Sequence, residues 1–114
     1  MDRSMQTFAA LADPVRSTIV RMLSAGDMAA GDIAAQFPVS RPAVSRHLKV
    51  LRQAGLVSTR EEAQQRIYRI EMAAMDEIDG WTRECRRLWA QRLDALGRHL
   101  DRLADKGDDP DAGD

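Results

Sequence analysis

Residues 40–57 of this chain read Ser-Arg-Pro-Ala-Val-Ser-Arg-His-Leu-Lys-Val-Leu-Arg-Gln-Ala-Gly-Leu-Val, and no other stretch constrains the fold as tightly. At about 100° per residue, Val44, Leu48 and Leu51 fall on one side of a helix, as a buried face requires. Arg41, Pro42, Ser45, Arg46, Lys49 and Arg52 cover the other side, with no carboxylate among them. Ser40 is placed to cap the helix, Pro42 suits its first turn, and Gly55 can end it in a left-handed conformation. Cations and hydroxyls without acids match the major groove of DNA, which offers phosphates along its rims and base edges on its floor. The plain alternative is a solvated basic face, common on soluble helices, so the neighbouring segments decide.

The 114 residues, 44% of them apolar, suffice for one domain with a core and are too few for two. Aromatics are scarce and the apolar content is largely Ala, Leu, Val, Ile and Met, which favours a mostly helical protein. No run approaches the roughly 20 apolar residues that span a bilayer, and the opening Met-Asp-Arg-Ser lacks a signal-peptide profile, so no membrane partner is expected. One cysteine cannot close an internal disulfide and fits a reducing cytosol, so a cytoplasmic location is expected. The net charge of −1 argues against a polyanionic partner only until its distribution is examined. Residues 41–70 hold seven Lys and Arg against Glu61 and Glu62, while residues 71–114 hold seven against twelve acids. Local charge, not the sum, sets where a polyanion docks.

Residues 5–12 read as a short first helix, with Phe8 and Leu11 at helical spacing. Asp13 as cap and Pro14 at the first helical position start a second helix, which runs to about Ala25 and buries Val15, Ile19, Met22 and Leu23 before Gly26 closes it. A third helix is expected over residues 31–37, with Ile33 and Phe37 on one side. After a break at residues 38–40 the basic helix follows, completing a helix-turn-helix. Beyond Gly55 the period changes from helical to alternating: residues 56–60 and 66–70 read as strands and 61–65 as their hairpin, a wing. The hairpin tip has neither Gly nor Asn, which leaves its turn type open.

From about Ala73 to Leu103 one long helix is expected, interrupted only by Gly80 and Gly97. Along it Trp89, Leu93, Leu96, Leu100 and Leu103 recur at spacings of 4, 3, 4 and 3, a seam for pairing with another helix. A homodimer interface is therefore expected along that seam, with Phe8, Leu11, Trp81 and Cys85 contributing. The expected fold class is mainly α with a small β-hairpin: a winged helix-turn-helix domain over residues 1–104 with N- and C-terminal dimerisation helices. An acidic disordered tail is expected over residues 105–114.

Several segments together carry a family resemblance: Leu11-Ala12-Asp13-Pro14-Val15-Arg16, Asp32-Ile33-Ala34, the run from Ser40 to Leu51, Ala54-Gly55-Leu56-Val57 and Tyr68-Arg69-Ile70. With these residues the chain resembles the ArsR family of bacterial winged-helix repressors, over nearly all of residues 8–103. The resemblance implies a winged helix, a homodimer, binding to an operator near a promoter, and repression of transcription. Trp81, Trp89 and Arg92-Leu93 look more like the metal-independent, SdpR-like subgroup that includes autorepressors. Metal-sensing members carry a Cys-x-Cys pair at the start of the third helix, whereas residues 26–32 here hold no thiol or imidazole. Others bind zinc on the last helix; here His99 stands alone among Asp94, Asp101 and Asp105, short of the three or four arranged ligands that zinc requires. No metal or other cofactor is expected.

Ser45 and Arg46 are the first candidates for base-edge contact, because the first half of a recognition helix enters the groove. Arg46 suits bidentate pairing with guanine. Arg41, Lys49 and Arg52 read as phosphate contacts, with Ser40 and Pro42 beside them at the helix start. His47, at the edge of the apolar face, either reaches a phosphate or packs within the domain. Arg66, near the wing tip, is either a minor-groove arginine or a solvated hairpin charge. Cys85 reads as small interface packing or as a redox sensor. No spacing suggests a catalytic constellation, so an enzyme is not expected. The leading reading is a homodimeric repressor on an inverted-repeat operator of double-stranded DNA. The alternatives are a redox-responsive repressor acting through Cys85 and an interaction module built on the long helix, and a small-molecule or redox effector stays open.

Overall fold

A computed structural model describes residues 3–107. The elements run α1 (Arg3–Leu11), α2 (Pro14–Ala25), β1 (Met28–Ala29), α3 (Ala30–Ala34), α4 (Arg41–Gln53), β2 (Val57–Glu62), β3 (Gln65–Ile70) and α5 (Met72–Gly107). This is the expected mostly helical winged architecture, with one strand more than the sequence suggested.

The helix boundaries follow their caps. The Asp13 carboxylate accepts from the backbone N–H groups of Val15 and Arg16 at 2.9 and 3.0 Å, and Pro14 opens α2 where no amide proton is needed. Ser40 Oγ accepts from the Ala43 N–H at 3.3 Å, starting α4. At its far end, Gly55 adopts φ 76° while its N–H bonds the Arg52 carbonyl and the Leu56 N–H bonds the Leu51 carbonyl. That pair of bonds is the Schellman closure, which turns the chain sharply into the wing.

The third helix is shorter than its expected span. It holds five residues, Ala30–Ala34, and residues 35–37 continue as turns in which the Gln36 and Phe37 amides reach only three residues back. Pro38 explains the early stop, since it disfavours helical geometry in the residue before it. Phe37 nonetheless packs against the core.

The sheet is three-stranded and antiparallel, in the order β1-β3-β2. Its unexpected member, β1, pairs Met28 with Tyr68 and Ala29 with Ile67. Two residues are too short for alternation to register in a sequence. The wing is also longer and tighter than expected: Glu61 pairs with Arg66 and Glu62 with Gln65, so both glutamates lie in the ladder. Only Ala63 and Gln64 remain in the turn, both left-handed at φ 50° and 67°, which makes it type I′.

The core gathers Ile19, Leu23, Ile33, Val44, Leu48, Leu51, Leu56, Val57 and Tyr68, all buried. Val15 and Met22, expected inside, are partly buried against it. The chain divides near Asp79, and the remainder of α5 is a unit of its own. There Leu88, Trp89, Leu93, Leu96, Leu100 and Leu103 are all exposed, at 48–57% of their full area. Gly80 and Gly97 stay within the helix, which reaches Gly107 and so takes in residues 105–107; the tail reading of residues 108–114 lies outside the described residues. Among the described residues no helix is long and apolar enough to cross a membrane.

Candidate nucleic-acid interface

Burial of Val44, Leu48 and Leu51 at 1%, 2% and 0% exposure fixes which side of α4 faces out. Ser40, Arg41, Pro42, Ser45, Arg46, Lys49 and Arg52 are exposed. Among the described residues, the side chains of Arg41, Arg46, Lys49 and Arg52 form no ion pair or hydrogen bond, so four full charges are available to a polyanion. The Arg41 guanidinium passes close to Gly31, where a Cβ would stand 3.1 Å from its Nη2.

The wing differs. Arg60 donates to Asp27 at 2.7 Å and to Glu62 at 3.1 Å, and Arg66 Nε donates across the hairpin to Glu61 at 3.2 Å. Those hydrogen bonds hold both guanidinium groups above their ordinary pKa, through Asp27 and then Glu62 for Arg60, and through Glu61 and then Tyr68 for Arg66. Arg69 lies 3.8 Å from Glu71. Exposed pairs of this kind are weak and screened by salt, so a phosphate can displace the carboxylate. The wing cations nevertheless start occupied where those of α4 start free.

His47 sits half-buried between the recognition helix and the start of α2. Arg16 Nη1 is 3.2 Å from its Nδ1, and Asp13 Oδ2 is 3.7 Å away. The Nδ1 edge of the ring therefore faces both the Arg16 guanidinium and the Asp13 carboxylate. One ring nitrogen is thus engaged inside the domain. The Arg16 amide, followed by the charges of His47 and Arg16, keeps the Asp13 carboxyl below its usual pKa against the opposing effect of partial burial.

Arg16 is the functional-region residue that sequence reasoning missed. Besides His47, its Nε donates to the Ala10 carbonyl at 2.6 Å and its Nη2 to the Ala9 carbonyl at 3.4 Å. One guanidinium therefore closes the carbonyl end of α1 and ties it to α4, a favourable place for a cation on the helix dipole. The run Asp13-Pro14-Val15-Arg16 marked a helix start, but nothing local showed which side chains would meet there.

Of the residues assigned to a dimer contact, Trp81, Cys85, Trp89, Leu93, Leu96, Leu100 and Leu103 are exposed on α5. Phe8 is half-buried, and Leu11 packs against the core. The Arg92 guanidinium lies over the Trp89 ring, 5.5 Å from its centroid. Among the described residues no three of His, Cys, Asp or Glu come together as a metal site would require, and His99 is exposed on the helix.

Comparison with known proteins agrees with this geometry. The pattern described as "Bacterial regulatory protein, arsR family" matches residues 13–59, from the Asp13 cap through α4 into β2. The chain is 38% identical over 108 residues to the HTH-type transcriptional regulator Rv2034 of Mycobacterium tuberculosis, covering 95% of this chain and 92% of that protein. It is 38% identical over 74 residues to the transcriptional repressor SdpR of Bacillus subtilis, covering 65% and 82%. An ArsR-like transcriptional regulator from Rhodococcus sp. RHA1 has the same fold, with a TM-score of 0.73 and 30% identity over 84% of this chain and 91% of that one.

Proposed function

This chain belongs to the ArsR family and is a DNA-binding transcriptional repressor, not an enzyme; from that premise we propose that it acts as a homodimer on an inverted-repeat operator. The observation that carries the reading is the outward face of α4, with four unpaired cations and Ser45 set over a fully buried apolar back. In this assignment Ser45 and Arg46 read base edges, while Arg41, Lys49 and Arg52 hold phosphates. Ser40 and Pro42 set the angle at which the helix begins.

The second copy is supported by the exposed α5 seam. A row of leucines at heptad-like spacing, each about half exposed in the single chain, loses its hydration cost when it meets its own copy. Two recognition helices then read half-sites roughly 34 Å apart, one turn of DNA. We place the repressor in the cytoplasm, with its operator.

The test is a gel shift and footprint on the chain's own promoter fragment across a salt series. A two-fold protected site supports the reading, together with a steep salt slope of about one unit of log affinity per phosphate neutralised. An interaction module would show salt-insensitive or absent binding. Redox control through the exposed Cys85 is the other alternative. It requires an oxidant to change operator affinity in the native chain and not in Cys85→Ser.

A further inference from the structure

Between α1 and the C-terminal half of α4 lies a cleft of about 310 Å³. We propose that it is an effector site for a small carboxylate, that Arg16 receives the acid, and that binding loosens the recognition helix. The proposal rests on the repressor reading above for its consequence, though not for the binding event.

The composition of the cleft selects the ligand class. Ala9, Ala10, Val50 and Ala54 form aliphatic walls, Gln6 and Gln53 add two neutral amides, and among the described residues Arg16 is the one charged residue lining it. The volume is at the small end of ligand pockets, which run from about 300 to 1,000 Å³, so it suits a short acid rather than a nucleotide. A guanidinium against aliphatic walls favours a planar, bidentate anion, and a carboxylate matches it in shape.

Arg16 has the capacity to accept such a partner. Among the described residues no carboxylate hydrogen-bonds its guanidinium, whose partners are two backbone carbonyls and a ring nitrogen of His47, while the Asp13 carboxylate nearby feels its charge. The short bond, 2.6 Å from Nε to the Ala10 carbonyl, leaves the two outer nitrogens on weaker partners: His47 at 3.2 Å and the Ala9 carbonyl at 3.4 Å. An acid entering the cleft competes for those outer nitrogens. It thereby removes the hydrogen bond that joins α2 to His47, inside the segment that meets DNA. The cleft does not conflict with the proposed dimer. At about 100° per residue, Gln6, Ala9 and Ala10 share one side of α1, and Phe8 and Leu11 lie on the opposite side.

The experiment uses the full chain with sodium butyrate and sodium benzoate as probes, butyramide as the neutral control, and constant ionic strength. Without DNA, both acids should shift the NMR signals of the Arg16 side-chain Hε and of the Val50 and Gln53 amides, with dissociation constants in the millimolar range, and butyramide should not. With a labelled operator, saturating acid should weaken binding by at least about fivefold, the lower end of ordinary coupling between sites. Ala9→Leu, which fills the cleft from α1 and leaves the DNA-facing residues of α4 unchanged, should bind operator normally and lose the acid response. Gln6→Glu, which supplies a carboxylate permanently, should bind operator more weakly with an unchanged melting temperature. The absence of any acid-induced shift, equal effects of acid and amide, or acid binding with unchanged operator affinity would each overturn the proposal. A chain that fails to bind operator even without acid would instead refute the repressor reading, and the shift titration would still judge the cleft.

Discussion

The recognition helix α4 and the long helix α5 both carry an apolar stripe at regular helical spacing, yet only the first is covered. Val44, Leu48 and Leu51 retain 2% or less of their exposure, whereas Leu93, Leu96, Leu100 and Leu103 keep between 49% and 54%. The contrast separates two uses of one pattern. In α4 the stripe anchors a helix to the chain's own core so that its opposite face can be held toward a partner. In α5 the stripe itself is the face left to a partner. Periodicity alone therefore identifies a helix that must bury something, and the rest of the chain decides whether it can do so unaided.

The sharpest way to break this contrast is a matched pair of truncations. Leu51→Ala should destabilise the fold by about 2–5 kcal/mol, because it leaves a cavity in a closed core. Leu96→Ala should change single-chain stability by no more than about 0.5 kcal/mol, as for other exposed sites, and should act on association instead. Thermal melts over a range of protein concentrations distinguish the two: the Leu51 variant melts early at every concentration, and the Leu96 variant loses the concentration dependence of the native chain. Equal losses for both would mean that α5 is covered within one chain.

On the opposite face of α4 the effects are smaller and fall on DNA. Arg46→Ala should cost about 1–3 kcal/mol on the preferred operator and relax the choice of base at one position of each half-site. Lys49→Ala should weaken all sequences alike and lower the salt slope by about one. Anisotropy titrations on the native and a scrambled operator across a salt series measure both, and identical behaviour of the two variants would remove the division between reading and gripping.

Smaller still is the expected gain at the wing. Replacing Ala63 by Asn and Gln64 by Gly supplies the residues that a type I′ turn favours and should stabilise the domain by about 1 kcal/mol, read as a higher melting temperature. The pH dependence of α2 has a definite sign. The Asp13 carboxyl is held below its usual pKa, so its contribution is present above the unfolded value of about 3.9 and is lost as pH falls through the folded value. An acid titration of stability should therefore fall more steeply in the native chain than in Asp13→Asn.

The legible parts of this protein were those whose causes lie within a few residues. Asp13-Pro14 and Ser40 announced helix starts, Gly55 announced a stop, and the buried and cationic sides of α4 followed from spacing. The illegible parts depend on residues far apart in sequence. β1 exists because Met28 reaches Tyr68, and neither shows that pairing locally. The type I′ turn was hidden because Ala63 and Gln64 are forced into left-handed geometry by the register of the strands on either side, against their own preference.

Sequence alone thus determined the helix-turn-helix and its wing, the family, and which face of the basic helix points outward, because capping and amphipathic periodicity operate within one or two helical turns. Tertiary structure decided which charges are free and which are tied: the wing arginines to their glutamates, and Arg16 to a histidine 31 positions away. Such pairings follow from how the core brings α1, α2 and α4 together, and the cost of bringing distant groups together is met by burying apolar surface elsewhere in the chain.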